Sequence, residues 1–466
     1  MKESPAPEWL SPLDLLMPRT YITVMFTFRT KDSTVSIRQS LQRGLDGLSK
    51  DIPWLTGRIF PTTPTDEHAP GLKIQYGSEN TTFTLLDKGT IDVPYATLSA
   101  EGLPPDAIPS DVWPLPSMID EHLFTSGAPI FGASMFRFAD DQAVGVCVSV
   151  HHNAVDATGL AHIVKIWVEH IAGSAPSCII QNGDRHTCLS NMLRAHLPTI
   201  SSQSAETLFE LHPEYSKMPP AFPSEFPACA SKIFRLPVTH LNAYKEQLNG
   251  HLSNTPSINA LVCALVWSAI SRARLRRFPA LKYENSRLAM AVNGRQRLGE
   301  EFSTPENPYL GNTILYALAH SSVSDLDSAI EGSFVSLARI CDVVAQSQSS
   351  TKIDSHHIAE VYSLVERMDD YRKIFPGWDL FSSRDLTITS WANLELYGMS
   401  FGMELGKPDF IRIPSSVADG VVIILPRKGE SVVKGEELEI MIMLKKDDMD
   451  VLEQDSRWKS FVAGVF

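Results

Sequence analysis

The chain has little of what would commit it to a membrane, a metal or a nucleic acid. Its six cysteines (Cys147, Cys178, Cys188, Cys229, Cys263 and Cys341) are scattered, with no Cys-x-x-Cys pair. Several fall inside apolar runs, which reads as buried free thiols in a reducing compartment. There is no His-Glu-x-x-His and no paired Cys/His spacing, so no metal is expected. Residues 1–16 mix Pro, Glu and Asp with apolar residues, without a basic start or a continuous apolar stretch, and we expect no secretory leader. Apolar stretches such as 258–270 are shorter than a membrane span and broken by polar residues. A formal net charge of −13 supplies no basic field for a phosphate backbone. No short-period repeat is present, which argues against a solenoid. The expectation is a cytoplasmic protein with neither a membrane nor a nucleic-acid partner.

What is present is an ordinary globular composition: 466 residues, 43% hydrophobic and 20% charged, enough chain for two cores. Residues 21–29 read as a strand, and residues 35–48 carry apolar side chains at helical spacing. Further strands are expected at 71–76, 82–86, 130–138 and 143–150. Residues 104–129 are Pro-rich and read as irregular. Leu160, Ile163, Val164, Trp167 and Ile171 mark one face of a helix. The pattern fades over 198–227 into Ser, Pro, Glu and Phe, which marks a linker. Beyond it, helices are expected at 239–249, 257–277, 325–345, 356–372 and 449–462. Strands are expected at 287–293, 313–318, 386–389, 410–413, 421–425 and 437–444. The fold class is therefore α/β with mixed sheets. It comprises an N-terminal half (1–197), a crossover linker (198–230) and a C-terminal half (231–466).

Residues 143–150 (AVGVCVSV) are uncharged on both faces, as a strand buried on both sides requires. They run into His151-His152-Asn153-Ala154-Val155-Asp156. A group at the end of a buried strand is rigid yet can reach a cleft, which suits a general base. Imidazole, with an unperturbed pKa near 6.5, is available as a neutral base at cytosolic pH. Of 14 histidines, only His152 has Asp four residues later. Asp156 has two readings: an N-cap of the following helix, or a charged partner in the site. His356 and His357 read as a solvated helix face. Arg272, Arg274, Arg276 and Arg277 could attract phosphates, but cations at a helix C-terminus need no ligand to explain them.

At these residues the chain resembles the BAHD family of acyl-CoA-dependent acyltransferases, in particular its fungal secondary-metabolism branch. The likeness runs in order along the chain: Pro53-Trp54-Leu55-Thr56-Gly57-Arg58; His152 to Asp156 as HxxxD; Ser257-Ile258-Asn259-Ala260; Asn293-Gly294-Arg295-Gln296-Arg297; Tyr309-Leu310-Gly311-Asn312; and Thr389-Ser390-Trp391. Leu405-Gly406-Lys407-Pro408 follows as in fungal members. Ala157 stands where the family has Gly after the motif Asp, with Gly159 available for close packing. Ser400-Phe401-Gly402-Met403-Glu404 replaces D-F-G-W-G, losing its Asp and Trp. That Asp is structural in the family, so the change bears on lobe geometry rather than chemistry.

The resemblance implies two chloramphenicol-acetyltransferase-like domains around a central solvent channel. Within it, His152 would be the general base and Asp156 would orient its loop through Arg295. Thr389 and Trp391 would line the pocket near the oxyanion, and Gly159 would support the packing. It implies acyl transfer, acetyl by default, from acyl-CoA as co-substrate to a hydroxyl or amine of a small-molecule acceptor. No cofactor is permanently bound, no covalent intermediate forms, and the enzyme works as a monomer. The alternatives are a condensation-type enzyme using a carrier-bound acyl donor, since His151-His152 also fits an HHxxxD motif, and a catalytically inactive binding protein of the same fold.

Overall fold

Ala143–His151 is buried along its whole length because both of its faces are covered. In the computed structural model, which describes residues 8–64, 69–77, 81–180, 184–251, 255–379, 381–429 and 435–466, it is the middle strand of a five-stranded sheet. Tyr21–Arg29 and Phe131–Phe138 flank it in antiparallel register, with Tyr21 opposite His151. Phe410–Arg412 and Leu86–Ile91 form the edges. Helices Thr34–Asp51 and Ala157–Ile171 complete this first core, and the apolar face Leu160, Ile163, Val164, Trp167 and Ile171 is buried as its spacing predicts. The two helices meet at Gly44, where a Cβ would stand 2.5 Å from Ile171. That approach brings the Trp167 indole N–H to the Leu41 carbonyl at 3.0 Å.

The second core lies on a seven-stranded mixed sheet. Its order is Ile314–Ser322, Asn285–Asn293, Leu386–Ser390, Val421–Ile424, Glu437–Lys445, Cys229–Pro237 and Gly464–Val465. Helix Ile258–Arg277 is N-capped by Ser257, whose hydroxyl accepts the Ala260 N–H. At 20 residues it is long and apolar enough to cross a membrane, a longer stretch than residues 258–270 alone indicate. However, 78% of its apolar window is buried, and it is the centre of this core.

Several elements depart from the sequence reading. The strand expected at 82–86 lies at Leu86–Ile91, whose largely exposed side chains show no apolar alternation. Cys229–Pro237 pairs on both sides, although Lys232 and Arg235 interrupt its apolar pattern. The helix expected at 325–345 is two, Val323–Ile330 and Phe334–Ser347, broken at Gly332 (φ +115°) with Ser333 capping the second. The closing helix likewise divides at Asp455, whose carboxylate caps Ser456–Phe461. Residues 198–227, expected to be a linker, contain helix Ala205–Leu211 and strand Tyr215–Ser216. Ile200 and Leu208 from this region, and Leu189 and Leu193 just before it, pack into the second core.

The halves also interlock in the opposite sense, because Phe410–Arg412 from the C-terminal half is an edge strand of the first sheet. Arg412, 1% exposed, donates to the Gly102 and Leu103 carbonyls and pairs with Glu439 at 2.7 Å. Breaking a buried pair leaves one charge uncompensated, so Arg412→Ala should cost about 3–5 kcal/mol. Replacing both Arg412 and Glu439 with Met should cost less. Urea unfolding checks this, and an Arg412→Ala protein as stable as the parent would show that the bridge is idle.

Candidate active site

The His-His doublet sits where the central strand ends. His151 is its last paired residue, and its N–H donates to the Ile130 carbonyl at 2.8 Å. The next N–H, from His152, still reaches the Thr20 carbonyl at 2.9 Å, so the chain turns only after the second histidine. His151 is 1% exposed, lies edge-on to Tyr21, and accepts the Asn153 N–H at Nδ1. Burial, aided by the neighbouring His152, holds its pKa at about 3, so it stays neutral. His152 is partly exposed. Burial lowers its pKa, against the opposing pull of its own backbone carbonyl, Asp156, Asn312 and Asp14.

The loop that follows is held at three of its carbonyls. The His151 carbonyl accepts from Ala154 and Val155, the His152 carbonyl from the Asn312 side chain at 2.8 Å, and the Ala154 carbonyl from Arg185 at 2.7 Å. Asn312 is in turn fixed by Asp14, whose Oδ1 accepts both its backbone and its side-chain N–H groups. Asn153 donates to the Asp14 and Met17 carbonyls. Asp14 was missed in the sequence, although Ser11 and Asp14 form a capping box and Ser-x-x-Asp was a readable signal. Arg185 had no such signal, because its partners Glu8 and Ala154 are remote in sequence.

Both readings of Asp156 hold at once. Its Oδ1 accepts the Gly159 N–H at 2.9 Å, which caps helix Ala157–Ile171. The same carboxylate takes a bidentate pair from Arg295, Nη1 to Oδ2 at 2.8 Å and Nη2 to Oδ1 at 3.0 Å, and Oδ2 also accepts the Thr313 N–H. Arg295 donates further to the Tyr309 and Gly311 carbonyls, to Thr313 and to Asn293. Both residues are buried. No hydrogen bond joins Asp156 to His152 among the described residues, and the Asp156 carboxylate faces Arg295.

A Cβ at Gly159 would stand 2.3 Å from the Leu310 carbonyl oxygen, so only glycine lets the first turn of that helix meet the Tyr309–Gly311 loop. Thr389 lies partly exposed on strand Leu386–Ser390, opposite Ile423. Trp391 is 7% exposed and belongs to the apolar cluster that holds Val150 and Ala154. Neither hydrogen-bonds His152 among the described residues. In the altered D-F-G-W-G segment, Phe401 packs against Phe26 and Phe28 while Met403 is fully exposed, so a residue without Trp's bulk leaves no hole there. Arg272, Arg274, Arg276 and Arg277 are all engaged by carboxylates, Asp327, Asp419, Asp455 and Asp448 among them. His357 is not solvated as expected: its side chain is 16% exposed and faces Glu214.

The dual role of Asp156 sets its mutational signature. Asp156→Asn keeps a cap of equal rank but strips the charge opposite Arg295, so it should cost about 3–5 kcal/mol. Arg295→Ala should cost about as much, and the double replacement less than the sum. Thermal melts of the four proteins decide this, and an Asp156→Asn protein that melts like the parent would leave the cap alone in charge.

The same fold recurs in known proteins. The profile of the Transferase family matches residues 100–458, and that of the trichothecene 3-O-acetyltransferase-like N-terminal domain matches residues 19–169. The trichothecene 8-O-acetyltransferase of Fusarium sporotrichioides is 26% identical, over 97% of each chain. The O-acetyltransferase ptmV of Penicillium ochrochloron is 23% identical, over 97% of this chain and 96% of that one. Among solved structures, F. sporotrichioides TRI101 complexed with coenzyme A and T-2 superposes with a TM-score of 0.80 at 18% identity, covering 98% of this chain and 99% of that chain. Its fold, with two chloramphenicol-acetyltransferase-like domains, is the fold found here. With three-quarters of its length under one family profile, the chain belongs to the Transferase family, the BAHD-type acyltransferases.

Proposed function

We propose that this protein transfers an acetyl group from acetyl-CoA to a hydroxyl of a small-molecule secondary metabolite, with His152 as general base. The observation that carries the reading is the state of the His152 loop. Every backbone carbonyl from His151 to His152, and that of Ala154, is engaged, and the carboxylate that could have competed for the imidazole is bound to Arg295. The relatives named O-acetyltransferases and the likeness to a fold crystallised with coenzyme A support the substrate class.

The Nδ1 of His152 is enclosed and without a hydrogen-bond partner among the described residues, which leaves Nε2 as the nitrogen that meets substrate. It takes the proton of the acceptor hydroxyl as that oxygen bonds to the thioester carbonyl carbon. The tetrahedral intermediate then collapses, the C–S bond breaks, and the imidazolium returns the proton to the coenzyme A sulfur. A thioester is already activated, so transfer is direct and needs no acyl-enzyme or Lewis acid. Thr389 and Trp391 stand in this reading as the pocket wall near the oxyanion. An inactive scaffold would have no use for a loop held so completely around one partly exposed imidazole.

His152→Ala should lower turnover about 10²–10⁴-fold while leaving the melting temperature near that of the parent. His151→Ala should act through packing and hurt turnover less. Only the neutral ring accepts a proton, and burial lowers the His152 pKa from 6.5. The rate should therefore fall as pH drops, with a midpoint below about 6.5, and stay level between about pH 7 and 8. Normal turnover by His152→Ala, or a rate that falls from about pH 6 to 8, would remove His152 as the base.

A further inference from the structure

Away from the His152 loop, a second set of histidines and carboxylates is buried where the segment joining the halves meets the second core. His212 ends helix Ala205–Leu211, its N–H on the Leu208 carbonyl, and Glu214 follows after one proline. His357 and Glu360 lie three residues apart on helix Ser355–Glu366. His212 and Glu214 are 1% and 4% exposed. Glu214 Oε1 lies 3.0 Å from His212 Nδ1 and 3.2 Å from His357 Nε2. One donor atom from each of the three residues lies within 4.8 Å of the others. The two rings stand nearly perpendicular with centroids 4.6 Å apart, so two nitrogens converge without stacking.

Hydrogen bonding explains this cluster only in part. The His212 Nδ1 contact has hydrogen-bond geometry, but His357 Nε2, also a buried atom, has no hydrogen-bond partner. Among the described residues, every ion-pair partner of Glu214 and Glu360 is a histidine, so no Lys or Arg balances the two carboxylates. A tetrahedral zinc ion about 2.0–2.2 Å from its donors sets them about 3.3 Å apart, close to the two separations at Glu214.

We propose that His212, Glu214 and His357 bind one divalent transition cation, zinc by their donor set, which fastens the joining segment to helix Ser355–Glu366. His212 Nδ1, Glu214 Oε1 and His357 Nε2 are the ligands, and water fills the fourth position through the partly open side at His357. Glu360 Oε2 lies 3.3 Å from His212 Nε2, outside hydrogen-bond geometry but close enough to orient the imidazole once the ring is fixed by the ion. The two carboxylates and the dication together are neutral. Local sequence could not reveal this set, because His-x-Glu and His-x-x-Glu are separated by more than a hundred residues.

The test uses the full chain stripped with a chelator and reloaded with one equivalent of Zn²⁺. The protein should retain zinc at one per chain through gel filtration and melt several degrees higher than the stripped form. Co²⁺ in its place should give the visible d–d absorption of a tetrahedral site. Glu360→Gln should weaken zinc binding about 10–100-fold, and His357→Gln should abolish one-to-one retention. No stoichiometric retention by the parent, no rise in melting temperature, or equal retention by His357→Gln would each overturn the site. If His357→Gln does not fold, the Co²⁺ spectrum of the parent decides. Turnover below the melting point of the stripped form should not depend on zinc, so failure of this site leaves the acyl-transfer reading standing.

Discussion

The bidentate pair between Asp156 and Arg295 is the contact on which the site geometry depends. Asp156 ends the loop that follows the central strand of the first sheet, and Arg295 follows a strand of the second. Their bond joins the two sheets at the point where His152 is presented. A buried ion pair is weak evidence for stability, because desolvation offsets most of the Coulomb gain. Its value here is registry. The guanidinium also holds the Tyr309 and Gly311 carbonyls, and that loop places Asn312 on the His152 carbonyl. Moving the pair would move the second sheet, the loop and the imidazole together.

Adjacent histidines then divide their roles by position on the strand. His151 is still in register with Tyr21, enclosed and held neutral. His152 comes one residue later, where pairing ends, and is partly exposed. In the proposed reaction a base held this rigidly would need little reorganisation when the acceptor arrives.

Much of this was legible in the sequence, for physical reasons that differ by residue. The Ala143–His151 strand carried its own signal, because burial on both faces leaves no room for charge. The helix beginning at Ala157 was readable from its apolar spacing, and Arg295 from its motif. Asp156 was read as cap or ion-pair partner, yet a carboxylate has four lone-pair sites and fills both roles. Asn312 could not be told from a turn residue, since its partner Asp14 lies 298 residues away. The Cys229–Pro237 strand was hidden because Ser231, Lys232 and Arg235 face partners that only the tertiary fold supplies, and helix Ala205–Leu211 because it buries a single side chain, Leu208. The interlocking of the halves through Phe410–Arg412 has no local signature.

Direct transfer between two bound co-substrates is the central claim, and thiol release from acetyl-CoA tests it most directly. Release should follow only when a hydroxyl acceptor is present, because the free enzyme offers His152 no proton to take and forms no acyl intermediate. A rapid burst of about one equivalent of thiol per enzyme without acceptor would reveal an acyl-enzyme and contradict the account.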